Sequence, residues 1–184
     1  MTSRIDSTES AAIWVVDTLR EGTSAELLVP LNRESSVHVG TIEASITQEG
    51  LAAGLRIRTV RSLVHDDRAR WKRVLRPTSI SELMLRCSMP TRARERCLLS
   101  LGLNGTEFID SIALTPRILL GLEIARYQKE VFLLSTAGLD PCGRRTVQVC
   151  FSAAREPNAL FALVNYIEDE GGSPWLERVR CLVL

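Results

Sequence analysis

Apolar residues along this chain gather in short runs that alternate with helical repeats. The runs Ile13–Val16, Glu26–Leu31, Val37–Val39, Val131–Leu134 and Ala159–Val164 have the length of buried strands. Between them the spacing predicts helices. One covers about Glu43–Ala53 and stops at Gly54. A second starts at the capping box Ser79-Ile80-Ser81-Glu82. A third covers Thr91–Leu103, with Cys97, Leu98 and Leu101 on one face and arginines on the other. A fourth takes Thr115 as N-cap and Pro116 as first helical residue, and buries Ile118, Leu119, Leu122 and Ala125. A fifth covers Arg144–Arg155. A turn at Glu21-Gly22-Thr23 separates the first two runs, and residues 1–10, polar and rich in Ser and Thr, read as a disordered tail. Strands alternating with helices predict an α/β chain with helices on both faces of its sheet.

Composition narrows this reading. The 184 residues suffice for one domain, with 45% apolar residues and a net charge of +1. Net charge favours neither a polyanion nor a membrane surface as partner. Leu55–Val74 holds most of the clustered arginines, but Trp71 is the lone aromatic among them; this reads as a solvated face, with no nucleic-acid partner expected. No apolar run approaches the roughly 20 residues of a membrane span, and no signal-peptide pattern opens the chain, so a cytoplasmic protein is expected. The five cysteines have no CxxC spacing, and His38 and His65 offer no ligand spacing. No metal and no cofactor is therefore expected.

The most informative stretch is Ser135–Arg145, STAGLDPCGRR, directly after the Val131–Leu134 run. Gly138 permits positive φ, and Asp140-Pro141 is a helix start with Asp as N-cap. Loops at the carboxyl ends of parallel strands are where α/β proteins place ligand chemistry. The wording TAGLDPCGRR resembles the D-loop of ABC-transporter ATPase domains. Other segments resemble the same family in its order. ESSVHVGTIEASITQEGLAAGL is similar to the stretch from strand through Walker A loop to helix, RARERCLLSLGL to the helix before the signature motif, Val164-Asn165-Tyr166-Ile167-Glu168 to the switch segment, and LERVRCLVL to the strand that follows it. The likeness runs from about Leu27 to Leu184.

Each segment that would handle phosphate or water departs from the family's pattern. A P-loop needs glycines for successive backbone N–H groups, a Lys for the terminal phosphates and a Ser/Thr for Mg²⁺. Here the loop reads Gly40, Thr41, Ile42, Glu43, Ala44, Ser45, with two β-branched residues, an anionic side chain and no Lys. Ser45 or Thr47 stands at the place of the Mg²⁺ ligand. VLRPTSISELML carries no Gln where the Q-loop would be. Leu114, Thr115, Pro116 and Arg117 take the place of the LSGGQ signature, where Pro removes an N–H and the glycines are absent. The Walker B Asp and Glu are missing, since no carboxylate lies between Glu130 and Asp140. Asn165 replaces the switch His; it can donate a hydrogen bond but cannot take up a proton or carry positive charge.

The resemblance therefore implies an ABC ATPase-like, P-loop NTPase-derived fold over residues 1–184, with a small N-terminal antiparallel sheet and a helical subdomain inserted at 78–115. It implies a pseudo-ATPase with no catalytic residues and no intact nucleotide site. Such a chain would form a heterodimer with a competent ABC ATPase subunit, touching it through the D-loop Thr136, Ala137, Gly138, Leu139 and Asp140. It would dock on transmembrane transporter subunits through Ser81–Met89 and Thr91–Leu103, and so lie on the cytoplasmic face of the cell membrane through its partners alone. Two alternatives stay open: a soluble regulatory or scaffold protein with a vestigial ABC fold, and an asymmetric ATPase with one composite site.

Overall fold

The computed structural model describes residues 2–4, 8–31, 35–65, 76–152, 159–168 and 178–182. The chain is α/β. In order it forms β1 (Thr2–Arg4), α1 (Thr8–Arg20), β2 (Ser24–Leu31), α2 (Ser35–Ala52), β3 (Ile57–Thr59) and α3 (Val60–Leu63). There follow α4 (Ile80–Arg86), α5 (Thr91–Leu101), a 3₁₀ turn at Ile109–Ser111, α6 (Leu114–Ala125), β4 (Val131–Ser135), α7 (Pro141–Ser152), β5 (Leu160–Glu168) and β6 (Arg178–Leu182).

One six-stranded sheet runs β1-β6-β2-β5-β4-β3. The strands β2, β5, β4 and β3 are mutually parallel, and β6 pairs antiparallel with both β2 and β1. Register sorts the side chains. Leu27, Val164 and Leu133 face α1 and α2, together with Ile42 and Ile46, while Phe132, Leu134, Phe161 and Leu163 face α3 to α7. Phe161 meets Phe132 and, edge to face at 87°, Phe151 of α7, with both centroid distances 6.0 Å. The step from β2 to β3 crosses the sheet over the first face, and the returns to β4 and β5 cross over the second, as crossovers of one hand require. The connection after β2 thus leaves over the first face and the connection after β4 over the second. The carboxyl ends of β2, β5 and β4 are the switch point where α/β sheets bind ligands.

Several expectations are corrected. Ile13–Val16 is not a strand but lies in α1, because Ala11, Ala12, Val15, Val16 and Leu19 repeat at helical spacing and are buried while Ile13 is exposed. Of the tail expected at 1–10, residues 2–4 pair with β6 and residues 8–10 open α1. Val37–Val39 belongs to α2, whose Ile42 and Ile46 seat the helix on the sheet. Among the described residues a separate small antiparallel sheet is not seen: β2 lies inside the main sheet, and β3 pairs parallel with β4. Ile80 and Met84 of α4, Ala93 and Cys97 of α5 and Ile109 share one continuous core with α6. β5 runs past Val164 to Glu168, so Asn165 is a strand residue.

Other boundaries match the sequence pattern. Ser79 caps α4 by accepting from the Glu82 amide at 3.2 Å, Gly102 ends α5 in the left-handed region at φ 62°, and Gly54 does the same after α2 at φ 75°. The basic residues of 66–75, the Gly171–Pro174 loop and the end of the helix expected to reach Arg155 lie outside the described residues.

Candidate functional site

The TAGLDP turn sits at the switch point. β4 ends at Ser135, Gly138 adopts φ 75°, and the Leu139 amide closes the turn on the Thr136 carbonyl at 3.2 Å. Asp140 then caps α7, its Oδ1 accepting from the Gly143 amide at 2.6 Å, with Pro141 as first helical residue. Gly138, Asp140, Pro141 and Cys142 are exposed, whereas Thr136 and Leu139 are buried. The turn is a short exposed knob on a buried footing.

That footing is a chain of hydrogen bonds running from the end of β4 across β5 to β2. The Thr136 amide donates to the Val164 carbonyl at 3.0 Å. Its hydroxyl accepts from the Tyr166 amide at 2.9 Å and donates to Asn165 Oδ1 at 3.2 Å. Asn165 Nδ2 donates to Glu26 Oε1 at 3.3 Å, and Gln148 Nε2 of α7 donates to the same oxygen at 3.0 Å. The carboxylate accepts only, so it fixes which end of each amide faces it. Thr136, Asn165 and Glu26 are buried almost completely. A buried polar group must be hydrogen-bonded to be tolerated, and here one network satisfies groups of β2, β4, β5 and α7 together.

On the other face of the strand end, the Ser135 hydroxyl donates to the Glu43 carboxylate and accepts from the Ala137 amide at 3.1 Å. Arg61 of α3 donates to the Ala137 carbonyl. Burial, reinforced by the charge of Glu43, holds the Tyr166 phenol well above its ordinary pKa, and Arg61 opposes this.

The segment read from sequence as a degenerate loop is helical. Gly40, Thr41, Ile42, Glu43, Ala44 and Ser45 lie inside α2, where amides donate to carbonyls four residues back and do not wrap a phosphate. The Thr47 hydroxyl likewise donates to the Glu43 carbonyl at 2.9 Å. Ala113, not Thr115, is the N-cap of α6, and Pro116 lies further inside the helix. The Thr115 side chain instead lies against Gly143, close enough that a Cβ there would stand 2.4 Å from its Oγ1. Leu114 likewise approaches Gly138.

Residues 114–115, 136–140 and 165 therefore converge, and of residues 40–45 Glu43 reaches them through Ser135. Arg117 points its guanidinium at the carbonyls of Asp110 and Ile112. Glu26, Gln148, Ser135 and Arg61 are participants that pattern reading missed. Glu26 had one legible signal, a carboxylate inside an apolar strand on its buried side. Among the described residues no cluster of His, Cys, Asp or Glu could hold a metal ion, and no helix is long and apolar enough to cross a membrane.

No family model matches this chain, and neither a curated protein nor a solved structure matches it.

Proposed function

We propose that this chain is a non-hydrolysing, ABC ATPase-like subunit that pairs with a competent ATPase subunit, docks on transmembrane transporter subunits, or does both. The observation that carries the reading is the contrast at TAGLDP. An exposed turn keeps the wording of a D-loop, while the groups beneath it are committed to one another. Asp140 caps α7, Thr136 and Asn165 hold the strand ends together, and Ser135 and Glu43 satisfy each other. A knob on a locked footing suits recognition, because little freedom is lost when a partner closes on it. The helical state of residues 40–45 supports the same reading, since amides committed to a helix supply no cradle for phosphate.

The second proposed contact is the outer surface of α4 and α5. Leu85 is 58% exposed and Leu99 85% exposed, side chains that a docked partner would cover. The test is purification from the native cell. Co-purification with an ATPase that carries its own P-loop, or with a multi-span membrane protein, together with no turnover and no nucleotide affinity by the isolated chain, is the expected result. Robust hydrolysis by the pure protein that is lost in Asp140→Ala would overturn the proposal. A stable monomer or homodimer without membrane association would move the assignment to a soluble scaffold.

A further inference from the structure

A groove of about 420 Å³ lies between the start of α3 and the start of α6, a volume within the range of small-molecule sites. Exposed Leu114 contributes apolar wall over the buried Val64 and Ile118 at its base, and Arg61, Arg117 and His65 contribute nitrogen donors. Two fixed cations in one mostly apolar groove need an explanation. Arg61 donates to the Ala137 carbonyl, and Arg117 donates to the carbonyls of Ile112 at 2.8 Å and Asp110 at 3.2 Å. These partners are neutral. Among the described residues Arg61 has no carboxylate in ion-pair range, and Arg117 has Asp110 alone, at 3.9 Å. The Nε of Arg117 is buried without a hydrogen-bond partner among the described residues. A guanidinium has five N–H donors, so both arginines retain capacity for an anion.

We propose that this groove binds a small amphipathic monocarboxylate, its head held between Arg61 and Arg117 and its hydrocarbon body against Val64, Leu114 and Ile118. A planar carboxylate matches the guanidinium fork. An apolar body gains from the wall, which inorganic phosphate, strongly hydrated and without an apolar part, does not. Occupancy of the groove requires no ATPase partner, so this site stands or falls separately from the pairing proposed above.

The probe is hexanoate, titrated calorimetrically into the full chain at low ionic strength, with hexanol and inorganic phosphate as comparisons. Saturable one-to-one binding at about a millimolar or tighter is expected for a ligand of this size. Hexanol should bind at least tenfold more weakly, and Arg61→Met and Arg117→Met should each weaken hexanoate by about tenfold or more. Arg117 also holds two carbonyls of the preceding turn, so Arg117→Met can fail to fold; Arg61→Met and Leu114→Glu, both at exposed positions, then decide. No saturable binding, binding unchanged in these variants, or displacement of hexanoate by phosphate as effective as by another carboxylate overturns the proposal.

Discussion

Replacing Gly143 by alanine would put a methyl group into the seam between α6 and α7. Its carbon would stand 2.4 Å from Thr115 Oγ1, 3.4 Å from Thr115 Cγ2 and 3.3 Å from Asp140 Oδ1. Ordinary contact begins near 3.4 Å, so Thr115 or the helix must move by about an ångström. Thr115 is β-branched, with few rotamers to offer, and Asp140 is tied to the Gly143 amide at 2.6 Å. Alanine gains about 1 kcal/mol over glycine in helix propensity, whereas overpacking costs about 1–3 kcal/mol. A net loss of up to about 2 kcal/mol is expected. In a Thr115→Ala background the obstruction is gone, and the same substitution should become stabilising by about 0.5–1 kcal/mol. The resulting coupling of about 2 kcal/mol can be read from urea midpoints of the four proteins in a double-mutant cycle. If Gly143→Ala stabilises the wild-type chain, or costs as much without Thr115 as with it, the seam described here is wrong.

Other perturbations probe the same architecture. Gly121→Ala would bring a Cβ within 2.8 Å of Val60 Cγ1 and 3.0 Å of the Val60 carbonyl oxygen, and should destabilise by about 1–3 kcal/mol in urea unfolding. Thr136→Val should cost about 1–3 kcal/mol by leaving buried partners of its hydroxyl unsatisfied, while Thr136→Ser recovers most of the loss. Burial and the nearby Glu123 push the Cys97 thiol up to about 12 from 9.0. At pH 8 iodoacetamide should therefore modify the exposed Cys142 well before Cys97, by mass spectrometry of digests. Below about pH 9 both folded and unfolded Cys97 are protonated. Between about 9 and 12 the unfolded thiol ionises first, so this residue's share of stability falls as pH rises through that window.

Local signals in the sequence carried much of this structure. The Val131–Leu134 run, the left-handed glycine at 138 and the Asp140-Pro141 helix start are legible because each is decided within a few residues. The same holds for the Ser79 cap and the Gly102 stop. The misses arose where a short window is ambiguous. Ile13–Val16 is apolar throughout, and the period that makes it helix appears only with Ala11, Ala12 and Leu19 included. Val37 and Val39 favour extended backbone, but α2 is anchored further along by Ile42 and Ile46. Thr115 looks like a cap, yet the start of α6 is set where Thr115 can pack on Gly143.

The footing of the turn was the least legible part. Glu26, Asn165, Thr136 and Gln148 lie up to 139 positions apart, and nothing in a linear pattern pairs them. Strand order brings them together, because β5 separates β2 from β4 and hands Asn165 to both neighbours. Asn165 thus has a structural role that its place in a switch-like segment did not announce.

The most direct measurement of the pairing proposal is quantitative recovery of tagged protein from its native cell, comparing the wild-type chain with Asp140→Asn. Asparagine retains helix capping, so the fold should persist while the charge on the exposed turn is lost. The account predicts near-stoichiometric recovery of an ATPase with an intact P-loop, reduced in the variant. Recovery of both proteins alone, without membrane association, would contradict it.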